Sequence, residues 1–210
     1  MLLILTLAAC NSVSGAVDGD DVPRLATSFY VENDDAYEND GAIMVVMSSA
    51  DLGCEGYADA WEDLEDELAA SDLDGFIDLW EEVFPEDFWE VRILLRVDDV
   101  DDSAARIDFD AQDWDDGLGD DDEAGMWMYH YTEYPDVSLL DFDFSLLEDS
   151  RDTYLSDEGS VAVRRHKPGE FISGYFDAPM VDLDGDDEGE ARVSFSSQRC
   201  TAMEDELPSF

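Results

Sequence analysis

Ser160-Val161-Ala162-Val163-Arg164-Arg165-His166, then Lys167-Pro168-Gly169, then Glu170-Phe171-Ile172-Ser173-Gly174-Tyr175-Phe176 reads as two extended segments joined by a turn. Val, Ile, Phe and Tyr favour the pleated strand, while Pro and Gly supply turn geometry. The stretch therefore predicts a β-hairpin. The same grammar recurs in both directions along the chain. Residues 27–31 and 43–47 flank an acidic turn at 33–41 and predict a first hairpin. Residues 88–97 form an apolar strand, 105–109 alternate, and 126–134 are aromatic. In 140–146, Leu140, Phe142, Phe144 and Leu146 alternate with Asp141, Asp143 and Ser145, as in a strand with one wet face. Residues 191–197 form a last strand after a second acidic turn at 182–189.

One region has a different period. Tyr57, Trp61, Leu64 and Leu68 fall on one face of a helix, with acids on the other. Ser71 or Asp72 is placed to cap a second helix whose apolar face is Leu73, Phe76, Ile77, Trp80 and Phe84, stopped by Pro85. The expected fold is mainly β with a helical insert at 57–84: an antiparallel β-sandwich or barrel of about nine strands, packed by a helix or helix pair. The Trp-bearing stripe is expected to pack on the sheet.

Composition sets the next bounds. The 210 residues carry a net charge of −47, which alone would suggest disorder, but 45% are hydrophobic and 11% aromatic, enough for a core. Asp outnumbers Glu, and Lys167 is the only lysine. Such a surface repels nucleic acid and anionic lipid headgroups, and nucleic acid is excluded as a partner. It also repels itself, so it calls for screening by salt or for direct binding of divalent cations. The composition resembles that of proteins from salty habitats.

The N-terminus carries the sharpest motif. Met1 to Thr6 is mostly Leu and Ile and runs into Leu7-Ala8-Ala9-Cys10. This resembles the lipobox of bacterial lipoprotein precursors, although residues 1–9 hold no Lys or Arg and so lack the usual basic flank. The resemblance implies a signal peptide at 1–9 and a diacylglycerol on the Cys10 thiol, with palmitate-type acyl chains. It also implies export and anchorage to a membrane surface in the cell envelope. Asn11 is not the Asp that favours inner-membrane retention in enteric bacteria, so an outer membrane is favoured where there is one. Residues 10–23 are then a polar and acidic tether, 24–203 one domain, and 204–210 a frayed tail. Several acyl chains anchor firmly where one does not. Ile172 to Pro179 and Val193 to Cys200 also resemble the closing hairpin of uncharacterised bacterial lipoproteins, a likeness that implies no activity.

With Cys10 taken by lipid, Cys54 and Cys200 remain, an even number for an oxidising compartment, and a disulfide between them is expected. Asp182, Asp184 and Asp186 lie in a loop that fails the EF-hand spacing, since Gly185 is its fourth position rather than its sixth. With Asp113, Asp115 and Asp120 from another loop they are the candidate ligands for calcium, the one cofactor considered. Met126, Met128 and His130 share a strand face and are soft ligand types suited to copper, but are read as core. Trp127, Tyr129 and Tyr131 on the other face are read as core rather than as a sugar platform. Arg164, Arg165, His166 and Lys167 form the one basic cluster, a candidate anion-binding group.

There is no nucleophile elbow, zinc-protease motif, phosphate loop or dinucleotide fingerprint. With 57 acids, a pair of carboxylates suited to glycoside hydrolysis would arise by chance and carries no information. The chain is therefore expected to be a non-enzymatic lipoprotein, structural or binding an envelope protein or glycan. A calcium-dependent adhesion module and a glycan-active hydrolase are the alternatives.

Overall fold

The structure is a computed structural model and describes residues 12–33, 42–70, 72–96, 106–109, 124–131, 151–157 and 159–203. Eleven strands join in one mixed sheet: β1 (Ser12–Val17), β2 (Asp20–Asp21), β3 (Thr27–Asn33), β4 (Ala42–Ser48), β5 (Phe88–Arg96), β6 (Arg106–Phe109), β7 (Ala124–Tyr131), β8 (Asp152–Ser156), β9 (Gly159–Lys167), β10 (Phe171–Val181) and β11 (Asp187–Arg199). Helices α1 (Gly53–Ala70) and α2 (Leu73–Val83) form the insert between β4 and β5. The mainly β fold with a helical pair is as the sequence predicts. The expected strand at 140–146 lies outside the described residues.

The strand pairings close on themselves through β11, β3, β4, β5, β7, β8, β10 and back to β11. Two joins in that circuit are short. β8 meets β10 through two residue pairs, and β11 meets β3 through Gln198↔Phe29 and Arg199↔Tyr30. The β11–β3 join is parallel, against the all-antiparallel expectation. These strands are far apart in sequence, so no hairpin dictates their direction. β1 and β2 extend the sheet beyond β11, and β6 beyond β9.

Inside the circuit lies one apolar core, built from Ile43, Val45, Met47, Val91, Ile93, Met126, Met128, Val161, Phe176 and Val193, among others. A second core lies between the outer face of β3, β4, β5 and β7 and the two helices, with Phe29, Val46, Tyr57, Leu64, Phe76, Trp80, Phe84, Phe88 and Tyr131. β4 is consequently buried at every residue. That explains why its sequence runs apolar without alternating.

The helices sit where expected, α1 starting four residues earlier than the periodicity suggests. Thr27 accounts for this. Its Oγ1 accepts the backbone N–H groups of Leu52 and Gly53 and donates to the Ala50 carbonyl, so β3 satisfies the donors at the start of α1. Asp72 caps α2 by accepting from the Gly75 N–H. The Cys54–Cys200 disulfide then ties α1 to the end of β11 across 146 residues of chain.

Two expectations near the ends are corrected. The stretch expected as a polar tether contains β1, which pairs with β11 from Ser12↔Ser194 to Val17↔Gly189. Its small side chains suit this approach: a Cβ at Gly15 would lie 2.0 Å from the Glu190 carbonyl oxygen. β10 runs five residues beyond Phe176, through Pro179. Its pairing with β9 ends at Asp177 and with β8 begins at Met180, so the missing proline N–H falls between two partners.

Candidate functional site

Among the sequence candidates, the basic cluster lies on the outer face of β9, β10 and β11. A register shift leaves Arg164 as an extra residue, with Ser173 opposite Arg165 and Gly174 opposite Val163. A bulge of this kind re-aims side chains. It lets two consecutive arginines both stand exposed where strict alternation would bury one. The Arg164 guanidinium lies 5.2 Å from the centre of the Tyr175 ring and that of Arg192, on β11, 4.5 Å from it. Arg192 also approaches Asp177 at 3.7 Å. Lys167 pairs with Glu170 across the turn.

His166 does not belong to this face. It lies edge-on to Tyr30 at 6.5 Å, with its side chain 3% exposed. Glu32 faces it at 3.8 Å and accepts from Arg199 at 3.0 Å. Burial, and then the Glu32 carboxylate, push the Tyr30 hydroxyl up to about 12. Arg199 is beside the turn, where a Cβ on Gly169 would lie 3.5 Å from its Nη1. The predicted quartet thus loses His166 and gains Arg192, while Arg199 sits with His166 beside Glu32. Strand alternation on β11 places Arg192 outward, but its pairing beside β10 is not written in the sequence.

The opposite end of the same strands is acidic. Asp182 Oδ1 turns back on its own loop and accepts the N–H groups of Asp184 and Asp186, each at 2.9 Å. The β1–β2 turn joins this end, with the Asp18 N–H donating to the Glu188 carbonyl. Desolvation, and then Asp18, Asp182 and Asp186, raise the Glu188 carboxyl above its ordinary range. Among the described residues no group of three or more metal-type side chains converges. Asp113, Asp115 and Asp120 lie outside the described residues.

Met126 and Met128 are fully buried in the inner core. His130 stacks on Trp89 at 3.9 Å, and its Nε2 is 2.6 Å from Asp87 Oδ1. Tyr129 and Tyr131 are buried under the helices, and Trp127 packs beside them, so this face is core as expected.

The sequence reading passed over a buried charge cluster. Glu90 has no solvent exposure, accepts from the Tyr57 hydroxyl of α1, and pairs with Arg92 two residues along β5. Desolvation opposes the charge on Arg92, and the Glu90 carboxylate outweighs it, raising the guanidinium above its ordinary value. The guanidinium groups of Arg92 and Arg151 lie 5.3 and 4.1 Å from the Tyr129 ring centre, and Arg151 donates to the Tyr131 hydroxyl. Burial, with Glu90, raises Tyr131 as well. Closed off from solvent, Glu90 fastens the helical layer to the sheet and offers no surface to a substrate. The available signal was the pair of charges at positions 90 and 92 interrupting an apolar strand.

No family model, curated protein or solved structure matches the chain.

Proposed function

We propose that the chain is an exported envelope lipoprotein, held to a membrane by acyl chains on Cys10, whose β domain scaffolds or binds an envelope partner rather than catalysing a reaction. The observation carrying this reading is the Cys54–Cys200 disulfide. Such a bond persists outside the cytoplasm, where a lipobox-type signal would deliver the chain. Among the described residues no helix is long and apolar enough to cross a membrane, so on this reading the anchor is covalent. Among the described residues, the buried Glu90 and His130 are both engaged in holding the fold.

Fractionation of cells expressing the full chain and a Cys10→Ser variant tests the anchor. The expected result is wild type in the membrane fraction, released by detergent but not by salt, and the variant in the soluble fraction with an unchanged melting curve. Equal partition of the two would overturn the reading.

A second reading, a calcium-dependent module, draws on the crowding of Asp18, Asp182, Asp186 and Glu188 at the acidic end. It predicts a saturable rise in Tm with calcium beyond that given by NaCl at equal ionic strength. A calcium response no larger than the NaCl response would end it.

A further inference from the structure

We infer that the face bearing Arg164, Arg165, Lys167 and Arg192 docks on anionic lipid headgroups, so that the domain lies with this face against its membrane. The inference rests on the lipid-anchor reading and adds an orientation to it.

Three observations carry it. The first is where the chain enters the sheet. Ser12 pairs with Ser194, which in turn lies opposite Tyr175 on β10, the ring between Arg164 and Arg192. Cys10 is two residues before Ser12, a reach of at most about 7 Å. Because β1 is bound to β11 almost from its first residue, there is little tether to let the domain drift or turn over.

The second is charge. The chain has ten Lys and Arg in all, and four of them, Arg164, Arg165, Lys167 and Arg192, stand exposed on this face. Among the described residues the exposed acids interspersed with them are Glu170, Asp177 and Glu190. A molecule of net charge −47 approaches an anionic surface at least cost through the face where its exposed cations are grouped.

The third is polarity along the strands. From Arg192 to Asp187, β11 runs five residues toward the acidic turn, about 17 Å at strand rise. That is about two Debye lengths at physiological salt, about 8 Å each, so the acidic turn is largely screened from the basic face. Tyr175 adds a phenol at the headgroup level, where such side chains are favoured.

Lys167 makes the test direct, because it is the only lysine. The acylated full-length protein is inserted from outside into preformed vesicles of phosphatidylcholine, with or without phosphatidylglycerol. Labelling of Lys167 by a membrane-impermeant amine reagent is then read by peptide mass. We expect several-fold slower labelling on phosphatidylglycerol vesicles than in detergent micelles. Protection should be absent on pure phosphatidylcholine, lost in molar NaCl, and weakened in an Arg164→Ser/Arg165→Ser variant. Equal labelling in all settings while the protein floats with the vesicles overturns the docking face alone. A chain that carries no acyl group and does not float overturns the anchor, and this inference with it. The salt comparison uses wild type only, so the test survives a variant that fails to fold.

Discussion

Glu90 is the residue on which the two layers depend. Its carboxylate is fully buried and receives both the Tyr57 hydroxyl and the Arg92 guanidinium. Glu90→Ala leaves the hydroxyl and the cation without their partner. Removing one member of a buried pair costs roughly 3–5 kcal/mol, and since Arg92 is 31% exposed we place this loss near the lower bound, about 3 kcal/mol. Urea denaturation will show it as a lower midpoint. Tyrosines supply a second residue-scale prediction. The Tyr30 hydroxyl is pushed up to about 12 by burial and Glu32, and Tyr131 and Tyr154 are raised chiefly by burial. In the unfolded chain these phenols ionise first, near their model value of 10, so the folded state holds more protons above that pH. Stability is full below about pH 10 and falls as pH rises toward about 12. An ultraviolet titration should show these phenolates appearing together with loss of structure. Phenolate formation in a protein that stays folded through that window would contradict the assignment. The charges at 90 and 92 were visible in the sequence. What could not be read was that β5 has both faces covered, because that depends on helices packing over the outer side.

At the scale of elements, the β9–β10 hairpin, the first hairpin and the helical pair were legible, since each is fixed by local periodicity and turn chemistry. Elements set by distant partners were not. β8 (Asp152–Ser156) is short and has no alternating run to announce it, and it exists by pairing with β7 and the end of β10. β1 is made of Ser, Gly and Ala with two valines, and owes its strand form to β11. The disulfide was legible from cysteine arithmetic, but its mechanical role, clamping α1 to β11, was not. Replacing Cys54 and Cys200 with Ser should cost about 4–5 kcal/mol in the chain-entropy account for a loop of this length, read as a lower urea midpoint under oxidising conditions. Gly174→Ala tests the crossing of β9, β10 and β11. Its Cβ would fall 2.4 Å from the Ala162 carbonyl oxygen and 2.7 Å from Phe195 Cζ. The backbone oxygen cannot yield without disturbing the bulge, so the loss belongs at the upper end of the roughly 1–3 kcal/mol for overpacking. A variant as stable as wild type in urea would show that this register is wrong.

Across the whole molecule, charge is the organising quantity. A net −47 opposes compaction, and two apolar cores, one inside the strand circuit and one under the helices, hold against it. Stability should therefore rise smoothly as NaCl goes from low salt to molar, in a series of thermal melts, as screening shortens the Debye length toward about 3 Å. The total charge was plain from composition. The grouping of Arg164, Arg165, Lys167 and Arg192 on one face, and of acids at the Asp182–Asp186 turn, needed the register of β9, β10 and β11. Everything proposed about where this domain works depends on a lipid tether at Cys10. The most direct measurement is the intact mass of the protein recovered from the membrane fraction, with the N-terminal peptide sequenced. The account predicts a chain that begins at Cys10 and carries a diacylglycerol on its thiol. A chain that retains residues 1–9, or one bearing a free Cys10 thiol, would contradict it.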